Sequence, residues 1–374
     1  MKILLVADSL AGEHGRPFYV KGLAAQLAAA GHTVSVYCEE AGDSGAPPGT
    51  AFLSPQEFMD ALPGSGAVHL HLPVSPATAL LAAGHPRLVI HPHDYGFCCP
   101  AGTLYLPGSS RLCHRQTGLL CYLWAIEEGC TSAAPGPFAR RYMDARKLKS
   151  LAGLNRARWI ASTPRMARAL ADSGIPEDRI HAAGTAVPAP PEVSEPPANG
   201  PVFFAGTVEE KSGIFDLLDI VLVNDVDLHV AGDGPDLEKF RLAVERADLG
   251  RKVHLLGDPG WSGRQAEYAK ARFVVLPDRW DNSLPWAAAE AAASGRAIVG
   301  YQVEGAPAWC RHPETALLAD RAYVHELSGA AKLMIAEPDR CRRMGEAARR
   351  LYDSELSWPV HLKRIMDVYG RLTA

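Results

Sequence analysis

The chain has 374 residues, comfortable for two domains and too long for one typical hydrophobic core. Its composition is ordinary for a soluble globular protein, 47% hydrophobic and 21% charged, with an Ala-rich, Lys-poor texture that suggests a GC-rich bacterial source. A formal net charge of −4 gives no global electrostatic case for nucleic acid, so none is expected as a partner.

Residues 1–8 do not have the shape of a signal peptide and run straight into a buried-strand pattern. No apolar run approaches the ~20 residues that cross a bilayer. The expectation is a cytoplasmic protein whose contact with membrane, if any, is peripheral.

The first half alternates short apolar runs with helix-like segments. Residues 2–7 read as a strand ending in a Gly-containing loop through Gly12 and Gly15, then a helix over 18–30 stopped by Gly31, then a strand over 33–38. This is a βαβ unit, which implies a parallel sheet. Further strands are expected over 67–72, 87–91, 159–162 and 179–182. Residues 186–200 are Pro-rich without periodicity and read as a linker. The alternation then resumes, with strands over 202–205, 227–231, 253–256, 273–276 and 297–300. The clearest helices there are 213–223, 235–247, 262–271 and 285–294. A last helix, 358–372, has no strand after it and packs either on its own domain or back across the first. The fold class is therefore α/β, with two doubly wound parallel-sheet domains and ligand expected beyond the carboxyl ends of the strands.

The sharpest chemical signal runs from Leu276 to Glu290. A strand ends, a polar loop follows, and Asn282 or Ser283 is placed to cap a helix with Pro285 in its first turn. The free N–H groups and dipole of such a helix suit a diphosphate, and Glu290, two turns in, suits ribose hydroxyls. The plainer alternative is an ordinary capped helix with a solvent-facing Glu290, which the small apolar residues around it disfavour. The segment resembles the Glu-x7-Glu region of retaining glycosyltransferase family 4, and residues 290–299 are similar to that family's EAxAxGxPVV run. In the family the first acid faces the donor sugar. Here Asn282 stands eight residues before Glu290 and Asp281 nine before, so either Asp281 fills the role, the preferred reading, or Asn282 does.

A second element, Gly206-Thr207-Val208-Glu209-Glu210-Lys211-Ser212-Gly213, resembles the family's G-R-x-x-x-x-K-G. Lys211 matches the phosphate-facing lysine, whereas Thr207 stands where the family has arginine; Arg279 or a group of the N-terminal domain is the candidate replacement, and weak catalysis or a different donor is the alternative. The turns at Gly232–Gly234 and Gly257-Asp258 resemble the family's next two strand–turn elements, the second beside the base. In the first half, Gly15 lies in the first βα loop, where Gly lets backbone approach a ligand. Ile90-His91-Pro92-His93-Asp94 looks like the family's H-D/N element, with His93 the match that reaches the donor sugar. A lone histidine is more often structural.

The resemblance implies a GT-B fold of two facing Rossmann-like domains. Residues 1–185 would bind acceptor and 201–355 nucleotide sugar, with 356–374 a terminal helix. It implies transfer of a hexose-like sugar from a nucleotide-diphosphate donor, UDP-sugar favoured, to a hydroxyl acceptor with retention, in polysaccharide, glycolipid or natural-product synthesis. The implied catalytic residues are His93, Lys211, Asp281 and Glu290. The implied donor contacts are Gly15, Gly206, Thr207, Gly234, Gly257, Asp258, Arg279, Asn282, Ser283 and Leu284. No cofactor and no metal is expected, because Lys211 and the helix N-terminus supply the positive charge. An epimerase of the same fold, or a non-catalytic nucleotide-sugar binder, are the alternatives; Thr207 and the displaced acid keep the latter open.

Two features are not absorbed. Cys98, Cys99, Cys113, Cys121 and Cys130, with His114, lack tight metal-ligand spacing, so ordinary thiols or a loop over the acceptor side rank ahead of a structural metal. Arg140, Arg141, Arg146, Lys147, Lys149, Arg156 and Arg158 form a basic stretch suited to anionic lipid or acceptor, though a solvated helix face is the commoner meaning.

Overall fold

The computed structural model describes residues 1–40, 46–115, 117–154, 156–282, 286–321 and 323–372. The chain forms two compact units. The first comprises Met1–Thr185, Asp281–Leu284 and Trp358–Ala374, and the second Ala186–Trp280 and Pro285–Ser357.

The first unit begins β1 (Lys2–Ser9), α1 (Gly15–Ala29), β2 (Thr33–Glu40), β3 (Thr50–Leu53), α2 (Pro55–Ala61), β4 (Ala67–Leu72), α3 (Pro76–Ala83) and β5 (Leu88–Pro92). A small antiparallel hairpin, β6 (Tyr105–Leu106) and β7 (Arg111–Leu112), precedes α4 (Cys121–Glu128) and α5 (Pro135–Lys149). Then come β8 (Arg158–Ala161), α6 (Pro164–Asp172) and β9 (Ile180–Ala182). Seven strands pair in parallel in the order β3-β2-β1-β4-β5-β8-β9. β1 reads as an unbroken apolar run through its middle because helices cover both faces: Ile3 to Ala7 are all buried. Side-chain caps start the helices where the chain turns back. Ser75 accepts from the Thr78 amide, Thr163 from that of Met166, and Ser54 makes a capping box with Glu57.

The second unit holds β10 (Val202–Ala205), α7 (Leu217–Asn224), β11 (Leu228–Ala231), α8 (Leu237–Arg246), β12 (Val253–Gly257) and α9 (Gly260–Lys270). These are followed by β13 (Phe273–Leu276), α10 (Trp286–Ala293), β14 (Ile298–Tyr301), β15 (Ala316–Ala319), α11 (Val324–Ala336) and α12 (Pro338–Leu351). Its six parallel strands run β12-β11-β10-β13-β14-β15. The order reverses between β10 and β13, so the loops leaving those two strands diverge and open a crevice at their carboxyl ends. Phe204, Val230, Val275 and Val299, one from each of four strands, fill the core.

Several expectations needed revision. The edge strands β3 and β15 were not anticipated, because Thr50-Ala51-Phe52-Leu53 is short and Ala316-Leu317-Leu318-Ala319 is composed like a helix. The helix expected over 213–223 is two 3₁₀ turns, Glu210–Ser212 and Ile214–Asp216, followed by α7, with Gly213 at φ 69° between them. The Pro-rich stretch expected as a linker is strapped along the second unit. Arg296, wholly buried, donates to Ser194 O at 2.7 Å and to Ser194 Oγ at 2.8 Å, and Arg272 donates to Ala198 O.

The terminal helix, α13 (Trp358–Gly370), packs in the first unit. Trp358 stacks on Tyr19 of α1 with ring centroids 5.7 Å apart, and the Tyr19 hydroxyl lies 2.7 Å from His361 Nε2. No helix among the described residues is long and apolar enough to cross a membrane.

Candidate functional site

In the second unit, three glycine turns end adjacent strands and are stitched to one another. The Gly206 amide donates to Ala231 O at 3.0 Å, and the Gly232 amide to Gly257 O at 2.7 Å. Gly232 sits at φ 150°, and a Cβ there would fall 1.8 Å from Gly206 O. Only glycine allows this approach. Gly234 is equally constrained, since its Cβ would meet Val208 O at 2.3 Å. One side chain and one further backbone bond lock the same rim: Asp236 Oδ2 accepts from the Glu210 amide at 2.9 Å, and the Val208 amide donates to the Asp233 carbonyl at 2.9 Å.

Lys211 therefore leaves a rigid loop at the β10/β13 switch point. Its carbonyl accepts from the Arg279 amide at 2.9 Å, tying it to the loop after β13. Its ammonium lies 3.2 Å from Glu209 Oε2 and 4.7 Å from the centre of the Trp280 ring, one quarter exposed. Thr207 is exposed beside it.

Arg279, the expected substitute for the missing arginine, is committed elsewhere. Its guanidinium forks onto buried Asp216, Nε to Oδ2 at 3.0 Å and Nη2 to Oδ1 at 2.5 Å, while the Tyr301 hydroxyl donates to the same carboxylate at 2.9 Å. Asp216 was not singled out from sequence, since its partners lie 63 and 85 residues away.

Glu290 is not solvent-facing. It is 3% exposed on α10, and Arg264 of α9 approaches it in a fork, Nε to Oε2 at 3.3 Å and Nη2 to Oε1 at 3.4 Å. Arg264 also lies 3.4 Å from Asp258 Oδ1, which accepts from the Gly260 amide and is itself two-fifths exposed. Asp258, just after β12, Arg264 of α9 and Glu290 of α10 thus form one charged cluster. Arg264 was missed in the sequence because its partner is 26 residues on.

In the first unit, Gly15 opens α1 at φ 64°. Next to it, Arg16 forks onto Asp8 at the end of β1, with Nε 3.0 Å from Oδ1. Neither was anticipated. His93 directly follows β5, is 4% exposed, and its Nε2 lies 2.9 Å from His71 Nδ1. Burial first, then the Arg16 charge, hold His93 well below the ordinary imidazole pKa, so it is neutral at pH 7. Asp281 is buried and belongs with this unit, near Tyr95; burial foremost, then the Asp281 charge, raise the Tyr95 phenol. Asn282 is half-buried alongside. Ser283, Leu284 and Pro285, and with them the expected cap of α10, lie outside the described residues. All eight cysteines are free thiols.

Residues 192–351 match the family model described as glycosyl transferases group 1. The chain aligns over its full length with solved structures at low identity. The Anabaena protein HepE, in complex with UDP and glucose, gives a TM-score of 0.73 at 14% identity, covering 99% of each chain. Sucrose-phosphate synthase from Thermosynechococcus elongatus gives 0.71 at 17%, covering 100% of this chain and 99% of that one. WaaG, a glycosyltransferase involved in lipopolysaccharide biosynthesis, gives 0.68 at 14%, covering 98% and 100%. The fold is GT-B. Among curated proteins, an exopolysaccharide phosphotransferase of Streptomyces coelicolor is 30% identical over 122 residues, 32% of this chain. The match spans only 13% of that relative's length.

Within this GT-B chain the matched segment holds the stitched glycine turns, Lys211, Asp258 and Glu290. His93, Asp281 and Asn282 belong to the other unit.

Proposed function

We propose that this protein is a retaining glycosyltransferase that moves a sugar from a UDP-sugar to a hydroxyl acceptor. The observation that carries the reading is the rim of the second unit. There, the Gly232–Gly234 turn that admits no Cβ, Lys211, and the Arg264–Glu290 pair gather at the rim of a segment matching glycosyl transferases group 1. In this reading Glu290, oriented by Arg264, accepts from the ribose hydroxyls, and Asp258 lies beside the base. Lys211 and the first turn of α10 oppose the charge that grows on the leaving diphosphate. Gly206, Gly234, Gly257 and Thr207 let backbone approach the donor. Asp281 or Asn282 and the neutral His93 address the donor sugar, His93 by hydrogen bonding rather than by proton transfer. The departing diphosphate takes the acceptor proton.

Because Arg279 is committed to Asp216, Lys211 carries the diphosphate with less help than the family pattern supplies. Transfer proceeds without added Mg²⁺ or Mn²⁺, in the cytoplasm where nucleotide sugars are made.

A lipid-facing role for the first unit is supported by a second observation. Leu119, Leu120, Leu123 and Ile126, on and just before α4, are 85%, 60%, 56% and 58% exposed, and Arg140, Arg141, Arg146 and Lys147 of α5 are exposed as well. Apolar side chains beside basic ones suit a peripheral contact with anionic membrane. Arg156 and Arg158 do not share in it, being bound to the carbonyls of Ala83, Gly84, Asp178 and Arg371.

The test is a thermal-shift screen of UDP-, GDP- and ADP-sugars followed by assay of UDP release with and without candidate acceptors. UDP-sugar binding with release of UDP supports the proposal, and no response to any nucleotide sugar overturns it. Binding without turnover identifies a non-catalytic member, and an epimeric nucleotide sugar identifies an isomerase.

A further inference from the structure

One face of β4 and β5, beneath α1 and α13, carries four histidines. His69 and His71 stand two residues apart on β4, and His91 stands two before His93 on β5, so each pair points to one side of the sheet. The register sets His71 opposite His91. His69, His71 and His91 are 0%, 0% and 1% exposed. The interior of a parallel sheet is ordinarily Val, Ile and Leu, and each imidazole brings two polar nitrogens where water does not reach.

One nitrogen each of His69 and His71 is satisfied. His69 Nδ1 lies 2.7 Å from the Tyr369 hydroxyl of α13, and His71 Nδ1 lies 2.9 Å from His93 Nε2. The others are not: Nε2 of His69, Nε2 of His71 and both nitrogens of His91 are buried without a hydrogen-bond partner. The three rings present one nitrogen each within 4.8 Å of one another. Hydrogen bonding inside the fold thus accounts for one nitrogen each of His69 and His71 and leaves four nitrogens of the three rings unexplained.

We infer that His69, His71 and His91 form a structural site for one divalent transition-metal ion, zinc(II) first. The inference is independent of the sugar-transfer reading. The donor set is all imidazole with no carboxylate, which suits Zn²⁺, Co²⁺ or Cu²⁺ and disfavours Mg²⁺ and Ca²⁺. Burial, above all, keeps the rings neutral, the form that ligates; it pushes His69 down to about 3. Zn–N bonds of about 2.0–2.1 Å put tetrahedral ligands roughly 3.3–3.4 Å apart, so the nitrogens must draw in from their present spacing. The His69 ring now lies at 24° to His71 and 13° to His91, close to parallel, so binding turns the rings about Cβ–Cγ, a broad torsion. Tyr369 and His93 then serve as the outer partners that orient ligating histidines. A metal on His71 Nε2 leaves the proton on Nδ1, which donates to His93 Nε2 and places the His93 proton on its own Nδ1. The ion would in this way hold α13 to the sheet and set the tautomer of His93.

The test uses the full chain, stripped with a chelator and then titrated with Zn²⁺ or Co²⁺. One ion should bind per chain, and Zn²⁺ at a hundredfold excess over its dissociation constant should raise Tm by about 5–10 °C. His69→Gln and His91→Gln should each abolish both effects while leaving the far-ultraviolet circular dichroism unchanged. The eight thiols are the rival ligands. The wild-type Co²⁺ complex should therefore show visible d–d bands without intense thiolate-to-cobalt charge transfer, a readout that needs no variant to fold. Absence of binding, binding unaltered in both variants, or a thiolate charge-transfer band would each overturn the assignment.

Discussion

Replacing Glu290 by alanine removes the carboxylate that Arg264 faces inside the second unit. The two side chains are 4% and 7% exposed, and their closest approach is 3.3 Å. At an effective dielectric of about 20 that separation corresponds to roughly 5 kcal/mol of attraction. Asp258 remains at 3.4 Å but is 42% exposed, so it compensates only in part. The expected loss is about 3 kcal/mol, at the lower end of what breaking a buried pair costs. Replacing both partners, as in Arg264→Met with Glu290→Leu, removes the stranded charge and should recover most of that loss, with a coupling energy of about 2–3 kcal/mol. Urea denaturation of the four proteins, followed by far-ultraviolet circular dichroism, measures the cycle. A Glu290→Ala cost under about 1 kcal/mol, or a double variant equal to the sum of the singles, would refute the buried-pair reasoning. Glu290→Gln keeps an acceptor without its charge. If Glu290 binds ribose, this variant should weaken UDP-sugar binding about tenfold or more, by the worth of a charged hydrogen bond.

Lys211→Ala should lower the rate of UDP release about a hundredfold or more, since a cation aimed at developing phosphate charge contributes a few kcal/mol; single-turnover kinetics check this. Gly232→Ala drives a methyl into Gly206 O and should cost at least about 2–3 kcal/mol, read as a lower urea midpoint for the second unit. Trp358→Ala strips a 6%-exposed indole from Tyr19 and should destabilise the first unit by about 3–5 kcal/mol, visible as early amide exchange in α13. Leu123→Asp with Ile126→Asp should abolish sedimentation with anionic vesicles and leave melting unchanged, because both side chains are already in water.

Much of the fold is legible along the chain because it is written in local terms. Strands 67–72, 202–205 and 273–276 match their observed bounds, being short, mostly apolar runs marked off by Gly66, Gly206 and Pro277 that need no knowledge of their partners. Of the four edge strands, β9 and β12 were legible and β3 and β15 were not, since Thr50–Leu53 is short and Ala316–Ala319 has no β-branched residue at all. The glycine turns, Lys211 and Glu290 are likewise readable, since loop and helix-start chemistry is set by near neighbours.

What the sequence alone determined, then, is two βα-alternating halves and the places where each turn could meet a ligand. Charge pairing was decided by tertiary structure. Whether Arg279 is available for phosphate depends on Asp216, and whether Glu290 is buried depends on Arg264, 63 and 26 residues away. His69, His71 and His91 read singly as ordinary residues, and only the parallel register of β4 with β5 brings them together. Electrostatics and ligation act across a few ångströms of space whatever the separation in chain, so no window of sequence contains them.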